Sequence, residues 1–250
     1  MTSFDEAVVE AGLPSHWSWR VEVRPRRRTL GLDVLPDGSI VIAIPQNSSP
    51  EEVTEAVRAR RVWLARAVRR RAELAAEHPA KELVDGEGFS YLGRHYRLLL
   101  VRDQEASVKL KAGWLNLRLG TGASAVIGWY ADRGRRWLAK CVDLWAGRIG
   151  VDRPLVTVKD LGTRWGVRNR DGSLTFHWAV MQLSPELLDL IVVHELVHLV
   201  ASRHDDEFVR RVLLALPTAV ELESELAKAG RLVWMGRMRE PTGRVAAVKA

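Results

Sequence analysis

His194 and His198 stand four residues apart, with Glu195 directly after the first of them. On a helix that spacing puts both imidazoles on one face, about a turn apart, where they can reach a single ion. Glu195 lies roughly 100° around the helix from His194. It can reach a water on that ion without being a ligand itself. The chemistry this suits is hydrolysis, with zinc as Lewis acid and the glutamate as general base. A catalytic zinc wants three protein ligands and a water. His204 is the expected third. An unbroken helix would carry it about 9 Å further along the axis and about 240° around from His198, out of reach. The helix must therefore end between His198 and His204. The chain must turn back through Ala201-Ser202-Arg203, and Asp205-Asp206 must cap the next helix. Asp205, Asp206 and Glu221 are the substitutes for the third place. The single cysteine, Cys141, allows neither a Cys-rich metal site nor an intramolecular disulfide.

The element that carries the motif begins at Ser184-Pro185-Glu186, a cap followed by proline at the first helical position. It runs through the apolar stretch Leu187 to Val193, which predicts a buried central helix. Another helix is expected from Ser49-Pro50-Glu51-Glu52, a capping box. There Val53, Val57, Leu64 and Val68 form the inner stripe, and Arg58, Arg60, Arg61, Arg66 and Arg69 to Arg71 cover much of the rest. A further helix is expected over 125–148, with Tyr130, Leu138, Val142 and Trp145 inward and Gly150 as its stop. Two more are expected over 206–216 and 218–230, parted by Pro217. Strands are expected at 29–34 and 39–44 around the turn Pro36-Asp37-Gly38, and at 95–101, 107–110, 114–119, 155–159, 163–168 and 174–178.

These elements predict an α+β chain in three parts. Residues 1–120 form a β-rich region with one basic helix, 121–230 the domain holding the motif helix, and 231–250 a basic tail. The 250 residues are enough for a buried core, and 47% hydrophobic with 28% charged residues is globular. The most apolar stretch is short for a membrane span and holds two His and a Glu, so a soluble, cytoplasmic protein with no membrane partner is expected. A net charge of +7 attracts anionic partners, nucleic acid among them. Arg60, Arg61 and Arg70, with Trp63 among them to stack on a base, are the residues for that role.

The motif resembles the YgjP-like metallopeptidases, which are related in motif to the SprT-like and WLM-type proteases. The shared pattern is His-Glu-Leu-x-His, a His six residues later, and an aromatic close behind. Here it reads His194 to His198, His204 and Phe208. The resemblance extends to Arg164-Trp165-Gly166, to Leu183-Ser184-Pro185, to Gly88 through Arg94, to Arg26 through Leu30 and to Arg61 through Leu64, so it covers roughly residues 18 to 217. The family usually carries Ser-Cys after Arg-Trp-Gly and often Asn before the third His. Here Val167-Arg168 and Arg203 stand in those places. A related pattern, that of the metzincins, places Gly where Ala201 stands.

The resemblance implies a zincin-like protease domain acting on a peptide or protein substrate with Zn2+ held by His194, His198 and His204. Glu195 would take the proton from the attacking water. Arg164 and His177 are the candidates for a second oxyanion donor, and the strand 174–178 for a substrate-pairing edge. The alternatives are a DNA-associated protein with a structural zinc site, or a protease recruited to DNA-bound proteins.

Overall fold

The computed structural model describes residues 3–14, 16–35 and 38–239. It divides into two compact units, residues 1–77 and 78–250. The expected boundary near residue 120 therefore falls inside the second unit. The reason is that the strands between residues 88 and 118 bury Leu98, Leu115 and Leu117 in the same core as the motif helix.

The first unit holds α1 (Ser3–Glu10), β1 (Trp19–Val23), β2 (Gly31–Val34), β3 (Ile40–Ile44) and α2 (Pro50–Glu77). β3 is central and wholly buried, parallel to β1 and antiparallel to β2. The β2–β3 hairpin was legible in the turn Pro36-Asp37-Gly38, of which Pro36 and Asp37 lie outside the described residues. The capping box forms as its sequence predicts: Glu52 N–H donates to Ser49 Oγ, and Ser49 N–H donates to Glu52 Oε2. Val53, Val57 and Leu64 of α2 are fully buried against Val8, Leu32 and the three isoleucines of β3.

The second unit opens with β4 (Gly88–Tyr91), β5 (Arg94–Val101), β6 (Val108–Lys111) and β7 (Trp114–Arg118), a sheet in the order β4-β5-β7-β6. Next comes α3 (Ala123–Ile149), whose buried stripe includes Tyr130, Leu138, Val142 and Trp145. Gly150 ends it in the left-handed conformation, with its N–H donated to Ala146 O. Then come β8 (Val156–Lys159), β9 (Gly166–Arg168) and β10 (Leu174–His177), which form a sheet with β10 in the middle. A short 3-10 turn over Trp178–Gln182 leads into α4 (Pro185–Val197), followed by α5 (Asp206–Ala215) and α6 (Ala219–Ala229). The described chain is thus α+β, with six α-helices and three small sheets. None of its helices is long and apolar enough to cross a membrane.

The expected tail is core at its start. Val233, Trp234 and Met235 are buried, and Trp234 packs edge-on against Phe89 and Trp178. The Gln182 side chain ties this segment down: its Nε2 donates to Trp234 O, and its Oε1 accepts from Trp234 N–H. Arg237 and Arg239 continue it along Lys81 through backbone bonds. Weak patterning hid this, because one fully buried tryptophan anchors the segment rather than a periodic stripe. Residues 240–250 lie outside the described residues.

Candidate active site

Three local devices place α4. Ser184 caps it, its Oγ accepting from Leu187 N–H, and Pro185 occupies the first helical position. The β4–β5 turn docks on that cap. Leu92 and Gly93 both take positive φ, 49° and 73°, as a tight two-residue hairpin turn requires. Leu92 N–H donates to Met181 O, and a Cβ on Gly93 would lie 3.1 Å from Ser184 Cα. This explains why Tyr91-Leu92-Gly93-Arg94 and Leu183-Ser184-Pro185 occur together: they are two halves of one contact. The body of α4 is buried from Leu187 to Val193 except for the half-buried Asp189.

The helix ends at His198, and the chain turns back as the spacing requires. Asp205 then caps α5, its Oδ1 accepting from Phe208 N–H. The reversal brings the three imidazoles together. His194 Nε2 lies 3.2 Å from His198 Nε2 and 3.1 Å from His204 Nε2, and the three ligand atoms lie within 4.8 Å of one another. Nitrogens around a tetrahedral zinc at ~2.05 Å would be about 3.3 Å apart, so the donor set fits such an ion. His198 Nδ1 faces Ala201 O at 3.2 Å. That contact places the proton on Nδ1 and leaves Nε2 as the ligand atom. Ala201 has no positive φ, so the turn needs no glycine there.

Phe208 seals the back of the cluster. Its ring lies 4.9, 4.6 and 4.7 Å from the rings of His194, His198 and His204. Burial, then the two neighbouring histidines, push the His194 pKa down to about 4. His198 is lowered too, chiefly by burial. Both are neutral near pH 7, the state a metal ligand needs.

Glu195 is 8% exposed and stands against β9. A Cβ on Gly166 would lie 2.6 Å from Glu195 Cγ and 2.8 Å from Oε1, so only glycine leaves the carboxylate its place. Burial pushes this carboxyl up to about 7, against the Arg168 backbone N–H and the Arg164 charge, which pull it back. Trp165, between Arg164 and Gly166, anchors the segment: a Cβ on Gly230 would lie 3.0 Å from its Cζ2. The Arg-Trp-Gly motif is thus the wall facing the general base. Gly166 is a site residue that motif chemistry alone misses, because it acts by the side chain it lacks.

A cleft of about 640 Å³ opens over this cluster. Its floor includes Leu190, Ile191 and the triad, one wall is Thr163–Arg168, and Glu223 and Leu226 of α6 line it as well. Arg164 is therefore in the cleft. His177 is placed elsewhere. It is fully buried, outside the cleft lining, its Nδ1 accepting from Ala179 N–H and its Nε2 lying 3.4 Å from Asp160 Oδ1. It holds the turn into α4 rather than facing a substrate. The strand 174–178 is also displaced from its expected role. β10 is paired on both sides, so it has no free edge. The edge strand at the cleft is β9. Trp165 O accepts from His177 N–H and Asn169 N–H donates to Ser173 O. By the alternation of an antiparallel ladder, the polar groups of Gly166 and Arg168 point outward.

Of the substitute ligands, Asp205 is used as a cap, and neither Asp206 nor Glu221 joins the triad. Arg60, Arg61 and Trp63 are exposed on α2, in the unit that does not hold the triad. Arg70 lies in the same helix, with its side chain outside the described residues.

The model of the YgjP-like family, described as a metallopeptidase domain, matches residues 28–229. No curated protein matches the chain. Among solved structures it is similar to the metallopeptidase zymogen of Pyrococcus abyssi abylysin, at 27% identity over 41% of this chain and 99% of that one. The TM-score is 0.36, too low to carry a structural argument. The family match spans most of the chain and includes every residue of the triad, Glu195 and the β9 wall, and so the chain belongs to the YgjP-like metallopeptidase family of hydrolases.

Proposed function

We propose that the chain is a zinc peptidase that binds an extended segment along the outer edge of β9 and hydrolyses it with Glu195 as general base. The observation that carries this reading is the convergence of three histidine nitrogens within 4.8 Å, beside a carboxylate, at the floor of an open cleft. An all-nitrogen set of three suits zinc. The ion would supply Lewis acidity toward water and toward the scissile carbonyl.

The protein's own residues do the rest. The outward Gly166 N–H and the outward C=O groups of Gly166 and Arg168, which Glu195 does not take, pair with the substrate backbone and align the bond to be cut. The Glu195 carboxylate takes a proton as water oxygen bonds to the carbonyl carbon. It then delivers that proton to the nitrogen as the C–N bond breaks, and the second proton of the water passes from the new carboxyl group to the amine, leaving a carboxylate and an ammonium. Its burial keeps bulk water from competing for the proton, and Gly166 and the Arg168 N–H fix its place. Of the two oxyanion candidates, Arg164 is the one in the cleft.

A closed structural zinc site in a DNA-associated protein fits less well. Such sites carry four protein ligands, whereas three histidines converge at an open cleft among the described residues. The test is Glu195→Gln. The variant is expected to keep its metal and lose peptide cleavage by roughly 10²–10⁴-fold. Unchanged cleavage would remove Glu195 from the mechanism.

A further inference from the structure

The cleft wall carries two guanidinium groups that no carboxylate among the described residues pairs. Arg164 and Arg168 are both exposed and both line the cleft. Some surface arginines find carboxylates: Arg20 and Arg24 share Glu22, Arg58 meets Glu10, and Arg210 and Arg211 share Glu207. Others among the described residues, such as Arg94, Arg102 and Arg170, are exposed without one, so it is their place in the cleft that distinguishes Arg164 and Arg168. Among the described residues neither Arg164 nor Arg168 makes an ion pair or a side-chain hydrogen bond. Their charges act only at longer range, on Glu195 and His198.

Their placement follows from the strand. The Cα–Cβ direction of Gly166 points at Glu195, and side chains on one face of a strand recur every second residue, about 6.8 Å apart. Arg168 therefore shares the face that looks onto the general base. Arg164 stands on the other side of Gly166, close enough for its charge to act on Glu195. A segment paired along the outer edge would set its own side chains about 5 Å from those of β9. The residue opposite Gly166 meets no side chain. The residue opposite Arg168 meets a guanidinium with five donors and no acceptor to fill them. Across the cleft, Glu223 repels a carboxylate placed on its side, so the charge preference belongs to the β9 wall.

We propose that this enzyme selects segments carrying aspartate or glutamate within about two or three residues of the cut bond, held by Arg168 and Arg164 through bidentate carboxylate contacts. This inference rests on the peptidase reading and goes beyond it by naming the substrate class.

The zinc-loaded full-length protein would be given a proteome-derived peptide library, and the cut ends identified by mass spectrometry. Acidic residues should be enriched near the cut. A quenched peptide built on the best site should lose about tenfold in kcat/KM when its glutamate becomes glutamine. Arg168→Gln should erase that difference, Arg168→Glu should shift the preference toward lysine, and both should keep their metal and melting temperature. The Arg168 N–H to Glu195 survives both substitutions, because it belongs to the backbone. Raised salt should narrow the preference in wild type and not in Arg168→Gln. Equal cleavage of the glutamate and glutamine peptides by wild type would overturn the proposal and leave the peptidase reading intact. So would a preference that survives in both Arg168→Gln and Arg164→Gln. Cleavage of no peptide at all would sink the peptidase reading, and this selectivity with it.

Discussion

Glu195 owes its position to an absence. Gly166 has no side chain, and any Cβ there would enter the carboxylate at 2.6–2.9 Å. The nearest atoms belong to a buried glutamate held by a backbone N–H, not to the free end of an exposed side chain. Gly166→Ala should therefore displace the general base while leaving the three histidines in place. The expected result is full metal content with kcat reduced at least about tenfold, since a misplacement near 1 Å costs up to about 10²-fold. Normal turnover in Gly166→Ala would show that Glu195 needs no such room. The triad itself was legible in the sequence, because 194, 198 and 204 obey a helix period and then force a reversal. Gly166 was not, since a glycine in a strand pattern does not say which neighbour it admits. The misassignment of His177 has a similar cause. A histidine near the motif looks available, and only the fold shows that Ala179 N–H takes its Nδ1 and that Asp160 stands beside its Nε2.

The elements explain how the third histidine returns. α4 stops at His198, and α5 starts two residues after His204, with only Asp205 between them. The cap residue Asp205 is thus the neighbour of a ligand. Removing the cap should cost about 1 kcal/mol of stability and loosen the one ligand that lies outside α4. Asp205→Ala is expected to lower metal affinity several-fold, and Asp205→Asn, which can still cap, to restore most of it. Equal loss in both variants would mean that the charge, not the cap, matters. The helices were readable because their signals are local: Ser49, Ser184 and Asp205 all act as N-caps with the partners their spacing predicts. The edge strand was harder. Sequence patterning marks 174–178 as the more strand-like run, and it is, but its burial on both sides makes it the centre of the sheet. The shorter β9, with glycine and arginine, is the edge strand at the cleft.

At the scale of the whole molecule, each unit has its own core. The first is built on β3 and α2, the second on α3, α4 and the aromatic set Phe89, Tyr130, Trp178 and Trp234. The sequence reading divided the chain too late because a change from strands to helices at residue 120 looks like a boundary, whereas the strands of 88–118 and α3 share one core. The family match spans both units, from residue 28 to 229. The triad, Glu195 and the β9 wall all lie in the second unit. The most direct test is therefore the metal itself, measured by elemental analysis on purified wild type and on a His194→Ala/His198→Ala variant. About one zinc per chain in wild type, lost in the variant while the fold persists, is the result this account predicts. A well-folded wild type that holds no metal even after incubation with zinc would contradict it.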